Sequence, residues 1–68
     1  MFNKEDHLAY FKQLYDIEIV MKEDAEELLK IIEHPEAREI LERIRQDEIR
    51  HAIIVQELID LIEAVPAK

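Results

Sequence analysis

The sequence contains no glycine and only two prolines, Pro35 and Pro66. Because glycine and proline most often end helices, long uninterrupted helices are expected on either side of Pro35. Proline disfavours a helical conformation at the residue before it and fits well in the first turn of a helix. The chain is therefore predicted to be all-α, with a helix over about 4–33 that is N-capped by Asn3, a turn at 34–35 and a helix over about 35–64.

A turn this short places the two helices side by side in an antiparallel hairpin. The 68 residues then form a single domain, 1–68, which is too thin to enclose a core of its own. The chain has no cysteine, so neither disulfides nor thiolate metal sites can supply the missing stability. Metal binding or association with further chains is expected instead.

Apolar residues recur in heptads along both predicted helices, and both heptad seams are interrupted by polar residues that carry possible ligand atoms. The first predicted inward seam is broken only by Glu18 and consists of Phe11, Leu14, Glu18, Met21, Ala25, Leu28 and Ile32. The second is broken by Glu48 and His51 and consists of Leu41, Ile44, Glu48, His51, Val55, Leu58, Ile62 and Val65. A buried carboxylate is unfavourable unless a cation or hydrogen bonds compensate it.

The antiparallel hairpin brings these polar positions to one height. Glu18 lies sixteen residues before His34, whereas Glu48 and His51 lie fourteen and seventeen residues after it. At a rise of ~1.5 Å per residue, Glu18 is about 24 Å from the turn, between levels near 21 Å and 26 Å for the other two. Glu48 and His51 also share one face of their helix, because they are three residues apart. The three side chains are therefore predicted to meet.

Two such hairpins packed face to face would combine four glutamates and two histidines. This is the ligand set of di-iron and di-manganese carboxylate sites in four-helix bundles. The helices also carry more apolar surface than one hairpin can bury, which favours homodimerisation into such a bundle. A larger ring built from such dimers is compatible with the same prediction. Glu18, Glu48 and His51 are thus predicted to be metal ligands and catalytic residues, with iron as the expected metal and other divalent metals as substitutes.

Two neighbouring residues have alternative interpretations. Asp47 either accepts a hydrogen bond from the ring of a partner chain's metal-bound His51, or is a solvated carboxylate paired with Arg43. Tyr15, one turn before Glu18, either lines the site or packs at its boundary, and the second interpretation is favoured. The remaining alternative for the whole pattern is a coiled-coil hairpin whose polar seam residues fix its register.

The net charge of the chain limits the classes of molecule that it is expected to bind. Seventeen acidic residues against nine lysines and arginines give a formal net charge of −8. An acidic surface repels nucleic acids and anionic membranes, and it raises the local concentration of cations. With no apolar run long enough for a membrane span and an acidic start at 1–6, a cytoplasmic soluble protein is expected.

The segments 34–41 and 45–52, which include Asp-Glu-Ile-Arg-His, resemble the second helix of the encapsulated ferritins, a branch of the ferritin-like superfamily. The thirty-residue step from Glu18 to Glu48 suits that family too, and the resemblance covers roughly residues 10 to 63. It implies a two-helix half-bundle whose Glu18, Glu48 and His51 form a ferroxidase site shared across a dimer interface. It also implies open rings that oxidise Fe(II) with dioxygen and deliver Fe(III) to an encapsulin shell, so the chain would lie inside an encapsulin compartment.

Two features depart from the family pattern. Ile17 and Val20 are apolar where encapsulated ferritins can carry further acidic residues, and residues 65–68 show no cargo-targeting peptide. Two other functions stay open. One is a rubrerythrin-like peroxide reductase, whose electron donor would be another protein because cysteines are missing. The other is a metal-free helical oligomerisation module.

Overall fold

The computed structural model describes residues 3–66, which form two helices, α1 (Lys4–Ile31) and α2 (Pro35–Ala64). The helices pack side by side in a rod measuring 53 × 16 × 16 Å. They are antiparallel, as shown by the ion pair at 3.1 Å between Lys12, near the start of α1, and Glu63, near the end of α2. The predicted all-α architecture with two helices is confirmed. Over the described residues, neither helix has a stretch long and apolar enough to cross a membrane.

The start of α1 and the turn between the helices follow from local chemistry. The Asn3 side chain accepts a hydrogen bond from the Asp6 backbone N–H at 2.8 Å, and the Asp6 carboxylate accepts one from the Asn3 N–H at 3.1 Å, which confirms the predicted N-cap. Helix α1 ends at Ile31, two residues earlier than predicted. Ile32 and His34 are both extended, as expected for chain that leaves one helix and precedes a proline.

The C-terminal end of each helix accepts hydrogen bonds from a cationic side chain near the start of the other helix. Arg38 donates to the carbonyls of Leu29 and Ile32, and Lys4 donates to the carbonyls of Glu63 and Val65. These carbonyls have no partner within their own helices and carry the negative end of the helix dipole. The reciprocal contacts therefore fix the lengthwise register of the hairpin.

The predicted frayed end at 65–68 falls partly on 67 and 68, outside the described residues.

The seam that closes between α1 and α2 differs from the predicted one. Its buried residues are Ala25, Glu48, Ala52, Val55 and Ile59. The predicted inward positions Met21, Leu28, Ile44, His51, Leu58 and Val65 are exposed in the hairpin. The heptads are apolar at more than two of their seven positions, so each helix offers two adjacent seams. A pair of helices can close only one of them.

The second seam remains uncovered in the hairpin, and we call it the open face. Its residues recur at three-, four- and seven-residue steps or their sums, which places them on one face of each helix. They are between 37% and 73% exposed. In α1 it comprises Tyr10, Ile17, Met21, Leu28 and Ile31, and in α2 it comprises Ile40, Ile44, Ile54, Leu58, Leu61 and Val65. An uncovered apolar stripe of this length is typical of an interaction surface.

The cap that Arg38 provides gives a first test of the fold. Replacing Arg38 with alanine should destabilise the metal-free protein by about 1 kcal/mol, because two carbonyls at the end of α1 lose a charged donor. Arg43→Ala is the matched control, since Arg43 is 69% exposed and pairs only with Glu39 of its own helix. Thermal unfolding followed by circular dichroism at one protein concentration measures both. Equal melting temperatures for the two variants would contradict the capping role.

Candidate metal centre

Glu18 is presented by the middle of α1 toward α2. Its side chain is 14% exposed, so the carboxylate is largely removed from water. The Oε2 atom is buried and has no hydrogen-bond partner among the described residues. A carboxylate oxygen in this state lacks the compensation that burial normally requires.

Glu48 occupies the equivalent position on α2 and is the one buried charged residue in the described part of the chain, at 8% exposure. Its Oε2 atom is also buried without a hydrogen-bond partner. The structure thus places two carboxylates with uncompensated oxygens face to face across the closed seam. Both arise from helix positions that a hydrophobic residue would normally fill.

His51 lies one turn after Glu48 at the edge of the closed seam. Its Nδ1 atom is 3.6 Å from Glu18 Oε2, but its side chain is 55% exposed. The expectation of a histidine inside the core is therefore wrong for a single hairpin. The ring stands at the boundary between the closed seam and the open face, where one side meets Glu18 and the other is uncovered.

Together these residues form a compact group of possible ligand atoms. One atom from each of Glu18, Glu48 and His51 lies within 4.8 Å of the others, as expected from their predicted common height. Two carboxylate oxygens and an imidazole nitrogen are donors that suit iron, manganese and zinc ions. The uncompensated oxygens supply the negative charge that a cation would neutralise, so the residues present fit a divalent metal.

The surroundings of Glu48 change its protonation. The pKa of Glu48 is raised above its ordinary value of 4.5, first because a protonated carboxyl can share its hydrogen with Glu18. Burial and the negative charges of Glu18 and Asp47 raise it further, whereas the nearby His51 lowers it. In the metal-free hairpin, ionised Glu48 is therefore unfavourable.

Asp47 and Tyr15 lie beside the group. Asp47 is half-buried and forms an ion pair with Arg50 at 3.0 Å, so the predicted alternative pairing with Arg43 is wrong. Arg43 pairs with Glu39 instead, at 3.8 Å. Tyr15 is half-buried and borders a groove at the end of the hairpin away from the turn, lined also by Lys12, Asp16, Gln56, Ile59 and Glu63. Its surroundings are those of boundary packing.

Sequence reasoning missed an ionic cluster between the site and the turn. Arg45 contacts Glu42 of its own helix at 2.8 Å and Glu26 of α1 at 3.6 Å, and Lys22 contacts Glu26 at 3.8 Å. Arg45 and Lys22 are both half-buried. Arg45 lies one turn from Glu48 and Lys22 lies one turn from Glu18, both at positions that flank the seam. This spacing was the signal in the sequence for the cluster.

Comparisons of the chain with protein-family models, with curated proteins and with solved structures find no match. The functional interpretation therefore depends on the geometry of this site. The arrangement can hold a divalent cation with two carboxylates from different helices and one imidazole.

The raised pKa of Glu48 predicts a pH-dependent stability. A group whose pKa is higher in the folded than in the unfolded state stabilises the fold below its unfolded pKa and loses that contribution as the pH rises through the folded pKa. Metal-free Glu48→Gln should therefore melt higher than the parent at pH 7, with a difference that shrinks toward pH 4.

Thermal unfolding from pH 4 to pH 7 in the presence of a chelator measures this difference. The exposed-site variant Glu39→Gln controls for the loss of one negative charge from an acidic chain. A constant difference between Glu48→Gln and the parent across this range would remove the carboxyl pair as its cause.

Proposed function

We propose that the chain is half of a di-iron ferroxidase, completed by homodimerisation into a four-helix bundle. The carrying observation is that Glu18, Glu48 and His51 converge within 4.8 Å while two of their carboxylate oxygens are buried without hydrogen-bond partners among the described residues. A structural role for these carboxylates would give those oxygens hydrogen-bond donors. A metal-free oligomerisation module gives no reason for leaving them uncompensated.

A second copy of the chain supplies what one hairpin lacks. Two hairpins would place one glutamate from each α1 and a Glu-x-x-His pair from each α2 around a common centre, which is the ligand set of di-metal carboxylate bundles. Four carboxylates balance the charge of two divalent cations. The open face, which borders His51 and is apolar along its length, provides the surface for this association.

The proposed reaction uses iron as the substrate. Two Fe(II) ions lose one electron each, and dioxygen takes up these two electrons with two protons to give hydrogen peroxide. The glutamates of both chains hold the ions close together and favour the more highly charged Fe(III) product. His51 contributes a nitrogen ligand at the edge of each half-site. The resemblance to encapsulated ferritins supports storage in an encapsulin shell as the destination of the Fe(III).

Metal stoichiometry and one substitution test the site. Anaerobic titration with Fe(II) or Co(II) should saturate near one ion per chain, because two chains share two ions. His51→Ala should weaken binding and abolish rapid aerobic oxidation of Fe(II). His7→Ala is the control for the loss of a histidine, since His7 lies near the start of α1, far from the centre. An unchanged oxidation rate in His51→Ala would remove His51 from the site.

Assembly is tested by charging the open face. Leu58 is 37% exposed on the open face, and Leu58→Lys should separate the paired chains because a buried ammonium would lack a partner. Ile53→Lys is the control, because Ile53 is 55% exposed and is not part of the open face. Analytical ultracentrifugation should show pairs, or multiples of pairs, for the parent and for Ile53→Lys. A parent that sediments as a folded 8.2 kDa monomer would contradict the proposal.

A further inference from the structure

Each carboxylate of the candidate centre has a cationic residue three or four positions away on its own helix. Lys22 follows Glu18 by four residues, and Arg45 precedes Glu48 by three. Side chains at these separations are neighbours on a helix surface, and glutamate four residues before lysine is the favoured order. Ion pairs between these cations and the two carboxylates would therefore be expected from local geometry alone.

The structure shows a different pairing. Lys22 Nζ lies 3.8 Å from Glu26, and Arg45 lies 2.8 Å from Glu42 and 3.6 Å from Glu26. The Arg45–Glu42 contact is a forked one, in which both Nε and a terminal nitrogen of the guanidinium donate to the carboxylate. Meanwhile Glu18 and Glu48 keep buried oxygens without hydrogen-bond partners among the described residues.

We propose that Glu26 and Glu42 are positioning residues that hold Lys22 and Arg45 away from Glu18 and Glu48, and so keep both carboxylates available to a divalent cation. This inference depends on the proposed metal site and adds a determinant of its affinity. Two cations and two anions make the cluster electrically neutral, so it does not itself compensate the centre. Without Glu26 and Glu42, Glu18 and Glu48 are the acidic residues that remain three or four positions from Lys22 and Arg45.

The consequence is a competition between an internal cation and an external one. An arginine paired with Glu48 must be displaced before a metal ion can bind there, which lowers the apparent affinity by the strength of that pair. Arg45 is 29% exposed and Lys22 26% exposed, so neither is fully solvated when it competes. Holding both cations on other carboxylates removes this competition in advance.

The test compares metal affinities in variants that keep the ligands intact. Glu26→Gln/Glu42→Gln should bind Co(II) at least about threefold more weakly than the control, as expected for competition by ion pairs at partly exposed positions. The control, Glu39→Gln/Glu57→Gln, also removes two carboxylates, each nine residues from Glu48 and exposed. Anaerobic titration followed by Co(II) absorption, with circular dichroism to verify helicity, measures both.

Adding Arg45→Gln distinguishes competition of Arg45 for Glu48 from a purely structural role of the ionic cluster. If Arg45 competes for Glu48, Glu26→Gln/Glu42→Gln/Arg45→Gln should regain the affinity of the control, and Arg45→Gln alone should bind at least as tightly as the parent. If the cluster merely holds the helices in place, each removal should weaken binding, and this inference is wrong. The single change Glu42→Gln, with and without Arg45→Gln, gives the same comparison should the double variant unfold.

The remaining outcomes are also decisive. A parent that binds Co(II), with a double variant that binds as tightly as its control, overturns this inference and leaves the proposed function intact. A parent that binds no Co(II) or Fe(II) overturns both.

Discussion

The opposition of Glu18 and Glu48 across the helix interface is the constraint on which the rest of the structure depends. Two carboxylates, each with a buried oxygen that has no hydrogen-bond partner within residues 3–66, occupy the middle of a seam whose other buried residues are apolar. Burial and the nearby Glu18 carboxylate both disfavour the charged form of Glu48, and they raise its pKa. A hairpin with so small a core therefore contains a destabilising element at its centre. Such an arrangement is typical of a site that gains its compensation from a ligand.

The small closed seam explains why metal binding and association with a second chain are proposed together. The buried apolar residues of the hairpin are Ala25, Ala52, Val55 and Ile59, two of which are alanines. By contrast, eleven apolar side chains, none of them an alanine, lie on the open face. The buried contacts between the helices thus depend largely on small residues, whereas many large apolar side chains lie on a surface that a single chain leaves uncovered. This division is expected of half a bundle rather than of a complete domain.

Much of the architecture could be predicted from local chemistry. The turn followed from Pro35, the start of α1 from Asn3, and the common height of Glu18, Glu48 and His51 from helical rise in an antiparallel pair. The rotation of the helices could not be predicted. A heptad that is apolar on two adjacent seams does not specify which seam a single partner closes, so Ala52 and Ile59 were missed while Leu58 and His51 were placed inside. The pairing of Arg45 could not be predicted either, because Glu42 and Glu48 lie three residues to either side of it.

The position of His51 connects the proposed site to the proposed assembly. In the single hairpin the two carboxylates lie in the closed seam, whereas the imidazole stands at its edge with 55% of its side chain exposed. On the proposed arrangement, association would cover the open face and bury this ring, so the nitrogen ligand would be fixed only in the dimer. Metal binding and dimerisation would then favour each other, because each reduces a cost that the other carries: the uncompensated carboxylates in one case and the uncovered apolar surface in the other. The marginal core of the single hairpin would thus make folding, association and iron binding parts of one equilibrium.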